Sequence, residues 1–389
     1  MFNKNYTTEI LGLQDAKIEN VCEINDVLQI EVSLKRTKQK CPCCGKSTKK
    51  VHDYRLQRVK DVSFRDKKTE IVLRKRRYIC PHCHKRFYEN NAWLPRYCRR
   101  TTRLTAGVAI RLKELVSCRH VANECNVSVT TVQRIFDVVD YSGKPLPEVL
   151  LIDEFKGNTG SKKYQCILMN GITGELIDIL PNRDTGTLIS YFKNKNTDTV
   201  RFLVSDMWKP YQELCLTVFK NARHIADKYH VIRQVVWAME AIRKEVQKEL
   251  NKHSRLRYKH TASILRKPYS MLTANETEHL MQILTTSPKL AKAYWLKESF
   301  SEVFRAKTYE EAIELLKEWI KKAASSGIDR YVSCSKTMAY WSKSIATAIQ
   351  YGYTNGRIEG MNNKIKVLKR VSFGFRNFSR FRNRIFHTA

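Results

Sequence analysis

A chain of 389 residues and 45.6 kDa is too long for one small module and has room for two or three domains, each with its own core. Its 71 Lys and Arg outnumber 38 Asp and Glu, and a formal net charge of +33 argues for a polyanionic partner and against an acidic tail or an ordinary metabolic enzyme. The 42% hydrophobic content excludes global disorder, no apolar run approaches the roughly 18 residues of a membrane span, and residues 1–10 (MFNKNYTTEI) lack the apolar stretch of a secretory signal.

The twelve cysteines are therefore expected to be reduced thiols or metal ligands. The charge is concentrated: residues 35–119 carry 26 Lys and Arg against 6 Asp and Glu, and residues 356–389 carry nine against the single Glu359. Two such blocks around a less basic middle fit nucleic acid, DNA or RNA alike. Residues 27–34 alternate apolar Leu28, Ile30, Val32 and Leu34 with polar Gln29, Glu31 and Ser33, the period of a half-buried strand. The strand runs toward Cys41-Pro42-Cys43-Cys44-Gly45, and Cys80-Pro81-His82-Cys83 begins 36 positions after Cys44. Two C-x-x-C pairs let four thiolates converge on one tetrahedral ion, so Cys41, Cys44, Cys80 and Cys83 are the expected ligands of one structural zinc, with Cys43, His82 or His84 as substitutes. A disulfide or buried free thiols are the bland alternatives. Between the knuckles, Arg74, Lys75, Arg76 and Arg77 would place cations on the module's surface, suited to a DNA backbone.

Residues 103–116 set Leu104, Val108, Leu112 and Leu115 at helical spacing. Residues 119–135 continue with the spacing of a helix-turn-helix: Ala122 is small where helices cross, Asn126 suits a left-handed turn, and Val121, Cys125, Val127, Val132 and Ile135 form the internal core. Ser128 caps the second helix, whose Thr130, Thr131, Gln133 and Arg134 suit base edges and phosphates. Any three-helix bundle shares the pattern; the basic zinc module beside it favours DNA. Residues 143–147 (GKPLP) read as a linker.

After the linker, residues 149–155 read as a buried strand with Asp153 near its end. Strands at 163–170 and 175–180, a helix at 185–193, a strand at 200–205 ending in Asp206, a helix from Trp208 and a strand at 222–226 complete the order β-β-β-α-β-α-β. That is the RNase H-like arrangement, in which the first and fourth strands are neighbours, so Asp153 and Asp206, 53 positions apart, could face each other across a metal site. A third carboxylate is offered by Glu359, on a helix whose polar face also carries Asn362, Asn363, Lys366 and Arg370; on spacing alone it could equally be a surface Glu paired along the helix. Helical spacing at 231–250 and 309–324 fills the interval between Asp206 and Glu359. The last segment interleaves Phe373, Phe375, Phe378 and Phe381 with Arg376, Arg380 and Arg382, a run that could stack on unpaired bases or pack a basic helix on the core.

Over essentially its full length the sequence resembles transposases of the ISL-three family of bacterial insertion sequences. The resemblance lies in the two cysteine knuckles, residues 103–137, Leu151-Ile152-Asp153-Glu154, Val204-Ser205-Asp206-Met207-Trp208, Ala226-Asp227-Lys228-Tyr229-His230 and, most specifically, Asn355-Gly356-Arg357-Ile358-Glu359-Gly360-Met361-Asn362-Asn363-Lys364-Ile365-Lys366. It implies a multidomain α+β protein: a β-rich zinc module over 1–98, a helix-turn-helix over 99–142, and an RNase H-like DDE catalytic core over 148–389 with an all-α insertion at about 250–350 and a basic C-terminal segment. It implies Asp153, Asp206 and Glu359 as a catalytic triad holding two divalent cations, Mg or Mn, with Asp227 and His230 as an auxiliary pair that orients DNA or braces the core. The implied activity is metal-dependent strand cleavage and strand transfer. The partners are double-stranded DNA, as terminal inverted repeats and target, and a second copy of the chain at element ends; the implied location is the bacterial cytoplasm, at the nucleoid and not a membrane. A zinc-dependent DNA-binding regulator with an idle catalytic core, or a nuclease acting on RNA or branched DNA, would share much of this composition.

Overall fold

The computed structural model describes residues 12, 13, 15–159, 162–250, 255, 258 and 261–389. The N-terminal segment 1–10 lies outside the described residues, as do 251–254 at the expected start of the insertion. The chain divides into two compact units, Met1–Tyr141 with Ile365–Ala389, and Ser142–Lys364.

In the first unit, β1 (Ala16–Ile24) and β2 (Val27–Leu34) precede the short pair β3 (Gln39–Lys40) and β4 (Ser47–Thr48), then the long hairpin β5 (Val51–Phe64) and β6 (Lys67–Ile79), then β7 (Arg86–Tyr88). The sheet order is β1-β2-β6-β5 with β7 on β6. The alternation read in β2 is realised, with Ile30, Val32 and Leu34 in the core beside Val59, Ile71 and Leu73. Arg65 and Asp66 turn the long hairpin with φ of 49° and 61°, the backbone twist a two-residue hairpin loop requires. Buried Asp61 on β5 accepts from Thr101 Oγ1 at 2.7 Å and Arg103 Nε at 2.7 Å, fastening the sheet to the start of α1 (Thr102–Arg111).

Helices α2 (Cys118–Glu124) and α3 (Val129–Asp137) follow. Asn126 takes φ of 51°, and Ser128 Oγ accepts from Thr131 N–H, as the spacing predicts. The expected helix over 103–116 is shorter than its apolar pattern and stops at Arg111.

In the second unit β8 (Val149–Thr159), β9 (Lys162–Asn170), β10 (Leu176–Leu180), α4 (Thr185–Phe192), β11 (Phe202–Ser205), α5 (Lys209–Thr217) and β12 (Arg223–Ala226) succeed one another. The sheet runs β10-β9-β8-β11-β12, with β9 antiparallel to both β8 and β10, and β11 parallel to both β8 and β12. Val149, Leu150, Leu151 and Ile152 are all buried, the continuous apolar run of a strand covered on both faces. From β12 onward the described elements are helical: α6 (Lys228–Glu249), α7 (Ala262–Arg266), α8 (Ala274–Thr286), α9 (Pro288–Phe300), α10 (Tyr309–Ala324), α11 (Asp329–Tyr351) and two 3-10 turns, packed around Met239, Tyr294, Trp319, Tyr331 and Trp341. Then come α12 (Gly356–Val371) and α13 (Phe378–Thr388). No described helix is long and apolar enough to cross a membrane.

Helix α13 packs against the helices of the first unit. Its Arg384, 2% exposed, donates to the carbonyl oxygens of Leu112, Glu114 at 3.0 Å and Val116 at 2.8 Å. A guanidinium thus satisfies the carbonyl of Leu112, at the C-cap of α1, together with two carbonyls of the turn that follows. Arg384→Met is expected to destabilise the protein by about 2–4 kcal/mol, because the buried Leu112 carbonyl and two half-buried ones lose their donor at once; urea unfolding checks it, and an unchanged midpoint would remove the assignment.

Candidate active site and metal centres

Asp153 lies within β8 and Asp206 one residue beyond β11. Parallel pairing sets Phe202 opposite Val149 and Val204 opposite Leu151, and two more steps of that register bring Asp206 beside Asp153. Alternation along β8 sends the neighbouring Glu154 to the other face, where it pairs with Arg183 and accepts from Tyr211 Oη at 3.1 Å. Arg183 in turn lies 4.6 Å from the centre of the Trp208 ring, which gives that Trp a structural partner. Burial, reinforced by the Asp206 charge, pushes the Asp153 carboxyl up to about 7; the Glu154 N–H and His230 only partly offset this.

Asp227 stands at the N-cap of α6, yet its side chain makes no capping bond. Its Oδ1 accepts instead from the Asn355 N–H at 2.9 Å, and its own N–H donates to Ser205 O at 2.9 Å. His230, one turn into α6, brings Nδ1 to 2.8 Å from Asp206 Oδ2. Asp206, Asp227 and His230 each offer an atom within 4.8 Å of the others, one of two clusters with metal-ligand character among the described residues. Buried His224, whose pKa burial lowers to about 4, is neutral and bridges Ser205 Oγ at 2.8 Å and Ser344 Oγ at 2.9 Å, fixing the strand end that precedes Asp206.

Helix α12 and Asn355, the residue before it, reach this site with side-chain amides. Asn362 Nδ2 donates to Asp153 Oδ2 at 2.9 Å and Asn355 Nδ2 to Ile152 O at 3.4 Å. Ile358, Asn362, Ile365 and Leu368 form its buried stripe, whereas Glu359, Asn363, Lys366 and Arg370 are exposed. Asn362, read as a DNA contact, is thus turned to Asp153, and Asn355, given no role by the sequence, braces Asp227. An amide on an otherwise apolar stripe is the signal that could have revealed Asn362.

The other cluster is Cys41, Cys44, Cys80 and Cys83; Cys43, His82 and His84 are outside it. Cys41 Sγ is 3.5 Å from Cys83 Sγ and Cys44 Sγ 3.5 Å from Cys80 Sγ. The two knuckles share one hydrogen-bond pattern: Gly45 N–H to Cys41 O and His84 N–H to Cys80 O, both at 2.9 Å. Gly45 and His84 both take positive φ, 72° and 57°, so His84 serves as the turn residue of the second knuckle. The N–H groups of Cys83 and His82 favour the Cys80 thiolate and hold its pKa down at about 6. The Lys85 N–H favours the Cys83 thiolate, but burial and the three neighbouring sulfurs outweigh it and push that thiol up to about 12. A dication at the centre removes that conflict, so the four thiols fit zinc.

Of the cations read as DNA contacts, Arg74 is exposed and lies over Tyr54, 4.3 Å from the ring centre. Lys75 donates to Gln57 Oε1 at 3.4 Å and Arg77 lies 3.6 Å from Asp53. Arg76 is committed internally, to Glu89 at 3.2 Å and Leu34 O at 2.6 Å. On α3, Thr130 and Arg134 are exposed, Gln133 is half-buried, and Thr131 shares a 2.9 Å hydrogen bond with Ser128. Arg376 is exposed, while Arg380 makes a two-pronged pair with Asp137, both contacts 2.7 Å. The aromatic and basic C-terminal run divides: from Phe378 it forms a helix with Phe381 fully buried, while Phe373 before that helix is 96% exposed.

Comparison with known proteins adds three adjoining matches. A family model described as a transposase, of family ISL3, covers residues 150–385; the zinc finger of transposases IS204, IS1001, IS1096 and IS1165 covers 37–83; and the helix-turn-helix domain of transposase family ISL3 covers 89–138. The transposase for insertion sequence element IS1001 of Bordetella parapertussis is 22% identical over 362 residues, 87% of this chain and 85% of that protein. The transposase for insertion sequence element IS1557 of Mycobacterium tuberculosis is 37% identical over 106 residues, 27% of this chain and 24% of that protein. A Lactococcus lactis protein named as an ATP-dependent protease is 34% identical over 110 residues, 28% of this chain and 34% of that protein.

Proposed function

The chain belongs to the ISL3 family of insertion-sequence DNA transposases, and from that premise we propose that it binds the terminal inverted repeats of its element, exposes a 3′-hydroxyl by strand cleavage and joins that hydroxyl to target DNA. The observation that carries the reading is the convergence of Asp153, within β8, and Asp206, just beyond the end of the parallel neighbour β11. The strand order β10-β9-β8-β11-β12 supports an RNase H-like core, and the run of helices between β12 and α12 supports an all-α insertion within it.

Hard oxygen ligands suit a divalent cation, and the residues fit one: Asp206 Oδ1 is buried without any hydrogen-bond partner. When bound at Asp153, Asp206 and Glu359, two such ions, Mg or Mn, supply charge neutralisation at the phosphodiester and activation of the attacking oxygen. The protein's own part is positional. Asn362 sets the rotation of the Asp153 carboxylate, Asn355 holds Asp227, and the Ser205–His224–Ser344 bridge fixes the approach of β11 to Asp206. The zinc module and helix-turn-helix hold the element end, and pairing two ends calls for a homodimer. The work is done on the nucleoid in the cytoplasm.

Glu359 is the third carboxylate of this reading and lies one turn before Asn362 on α12. Its test is cleavage of a labelled duplex carrying the element's own end, with magnesium or manganese. Glu359→Gln is expected to lower the rate at least about a hundredfold. Undiminished cleavage would move the third carboxylate to another residue, and binding without cleavage in either metal would favour the DNA-binding regulator.

A further inference from the structure

We infer that Asp206, Asp227 and His230 bind a divalent cation directly, through two carboxylate oxygens and His230 Nδ1, and that this nitrogen makes the site prefer manganese to magnesium. The inference rests on the transposase reading above and adds to it two ligands outside the set Asp153, Asp206 and Glu359.

Three observations carry it. The first is distance: one ligand atom from each residue lies within 4.8 Å of the others, close to the span of two metal–ligand bonds of about 2.1 Å. The second is a surplus of acceptors. Asp206 Oδ1, Asn355 Oδ1 and Asn362 Oδ1 are all buried with no donor, and Asn355 and Asn362 are only 7% and 9% exposed. Both residues border the site: Asn362 donates through Nδ2 to Asp153, and Asn355 donates its backbone N–H to Asp227 and its Nδ2 to the carbonyl of Ile152, the residue before Asp153. Buried acceptors without donors are costly, and a cation answers several at once.

The third is a conflict at one nitrogen. His230 Nδ1 lies 2.8 Å from Asp206 Oδ2, which asks it to donate, and 2.6 Å from Arg233 Nη2, which asks it to accept. A single imidazole nitrogen cannot do both. A neutral ring with its Nδ1 lone pair toward a shared cation relieves the clash with the carboxylate. The Arg233 contact and the cation then exclude one another, and Arg233, whose Nε is itself without a partner, is the group that gives way. Two oxygens and one imidazole nitrogen suit manganese or zinc better than magnesium, which takes oxygen and water.

Electron paramagnetic resonance of the full-length protein, carrying no more than the one zinc of its four cysteines and titrated with manganese, tests this, with pulsed detection of nitrogen coupled to the ion. The expected result is bound manganese with a nitrogen coupling that changes isotope when the histidines carry nitrogen-15, and at least tenfold weaker displacement by magnesium than by manganese. His230→Gln should abolish the coupling, and both it and Asp227→Asn should weaken manganese binding at least tenfold, with thermal melting as the folding control. The isotope experiment uses the unaltered chain, so it decides even if a variant misfolds. Manganese bound without nitrogen coupling, unaffected by His230→Gln but lost in Asp153→Asn, would overturn the inference and leave the transposase reading intact. No bound manganese would also overturn it, and the cleavage assay above would then judge the transposase reading separately.

Discussion

Asp153→Asn is expected to lower strand cleavage by about 10³-fold or more while leaving affinity for the element end within about twofold. The substitution keeps the shape of the side chain and its contact with Asn362, and removes the charge that a cation needs. The same change has a second, opposite consequence. The Asp153 carboxyl titrates near 7 in the folded chain, against 3.8 for an ordinary Asp, so the folded state keeps a proton there that the unfolded chain has released. Stability therefore falls as pH rises from about 4 to about 7, and the deficit persists above that window. At pH 8 without added divalent cation the Asn variant should be the more stable protein, on the order of 1–3 kcal/mol. Cleavage kinetics and thermal melts at pH 5 and pH 8 check both halves. A variant as active as the parent would remove Asp153 from the site, and a variant no more stable at pH 8 would remove the charge conflict.

Loss of zinc is the other large effect. Cys80→Ser, or chelation, should release one zinc per chain and cost at least about a hundredfold in affinity for the element end. Structural zinc contributes roughly 10–16 kcal/mol to zinc-finger peptides. The four sulfurs tie together segments near residues 41 and 80, and between them runs the long hairpin β5 and β6, whose Asp61 fastens the sheet to α1. Protons compete with zinc for the thiolates, so zinc release should come as pH falls. Metal content and end binding, measured together, decide it: full affinity in zinc-free protein would show that the module stands without its metal.

Much of this was legible because the signals were local. The β2 alternation, the apolar run of β8, the Asn126 turn and the Ser128 cap all follow from residues within a few positions of one another. The four cysteines were legible because C-x-x-C spacing is itself a chelating geometry. What the sequence hid was the distant partner. Arg76 and Arg380 read as free cations and are held by Glu89 and Asp137; Asn362 read as polar surface and bonds Asp153; α1 stops at Arg111, and the carbonyl of the next residue, Leu112, goes to Arg384. Glu359 could be placed on a helix by its spacing, but which of its neighbours turned inward depended on what packed against that helix.

The hydrogen bond from Arg384 to Leu112 joins residues 272 positions apart. At a synthesis rate of roughly 5–20 residues per second, tens of seconds separate the emergence of the helix-turn-helix from the arrival of the arginine that completes it. Until then the DNA-binding half lacks one of its own parts. A message broken within the catalytic sequence is therefore expected to yield a fragment whose helix-turn-helix lacks the arginine that caps its first helix.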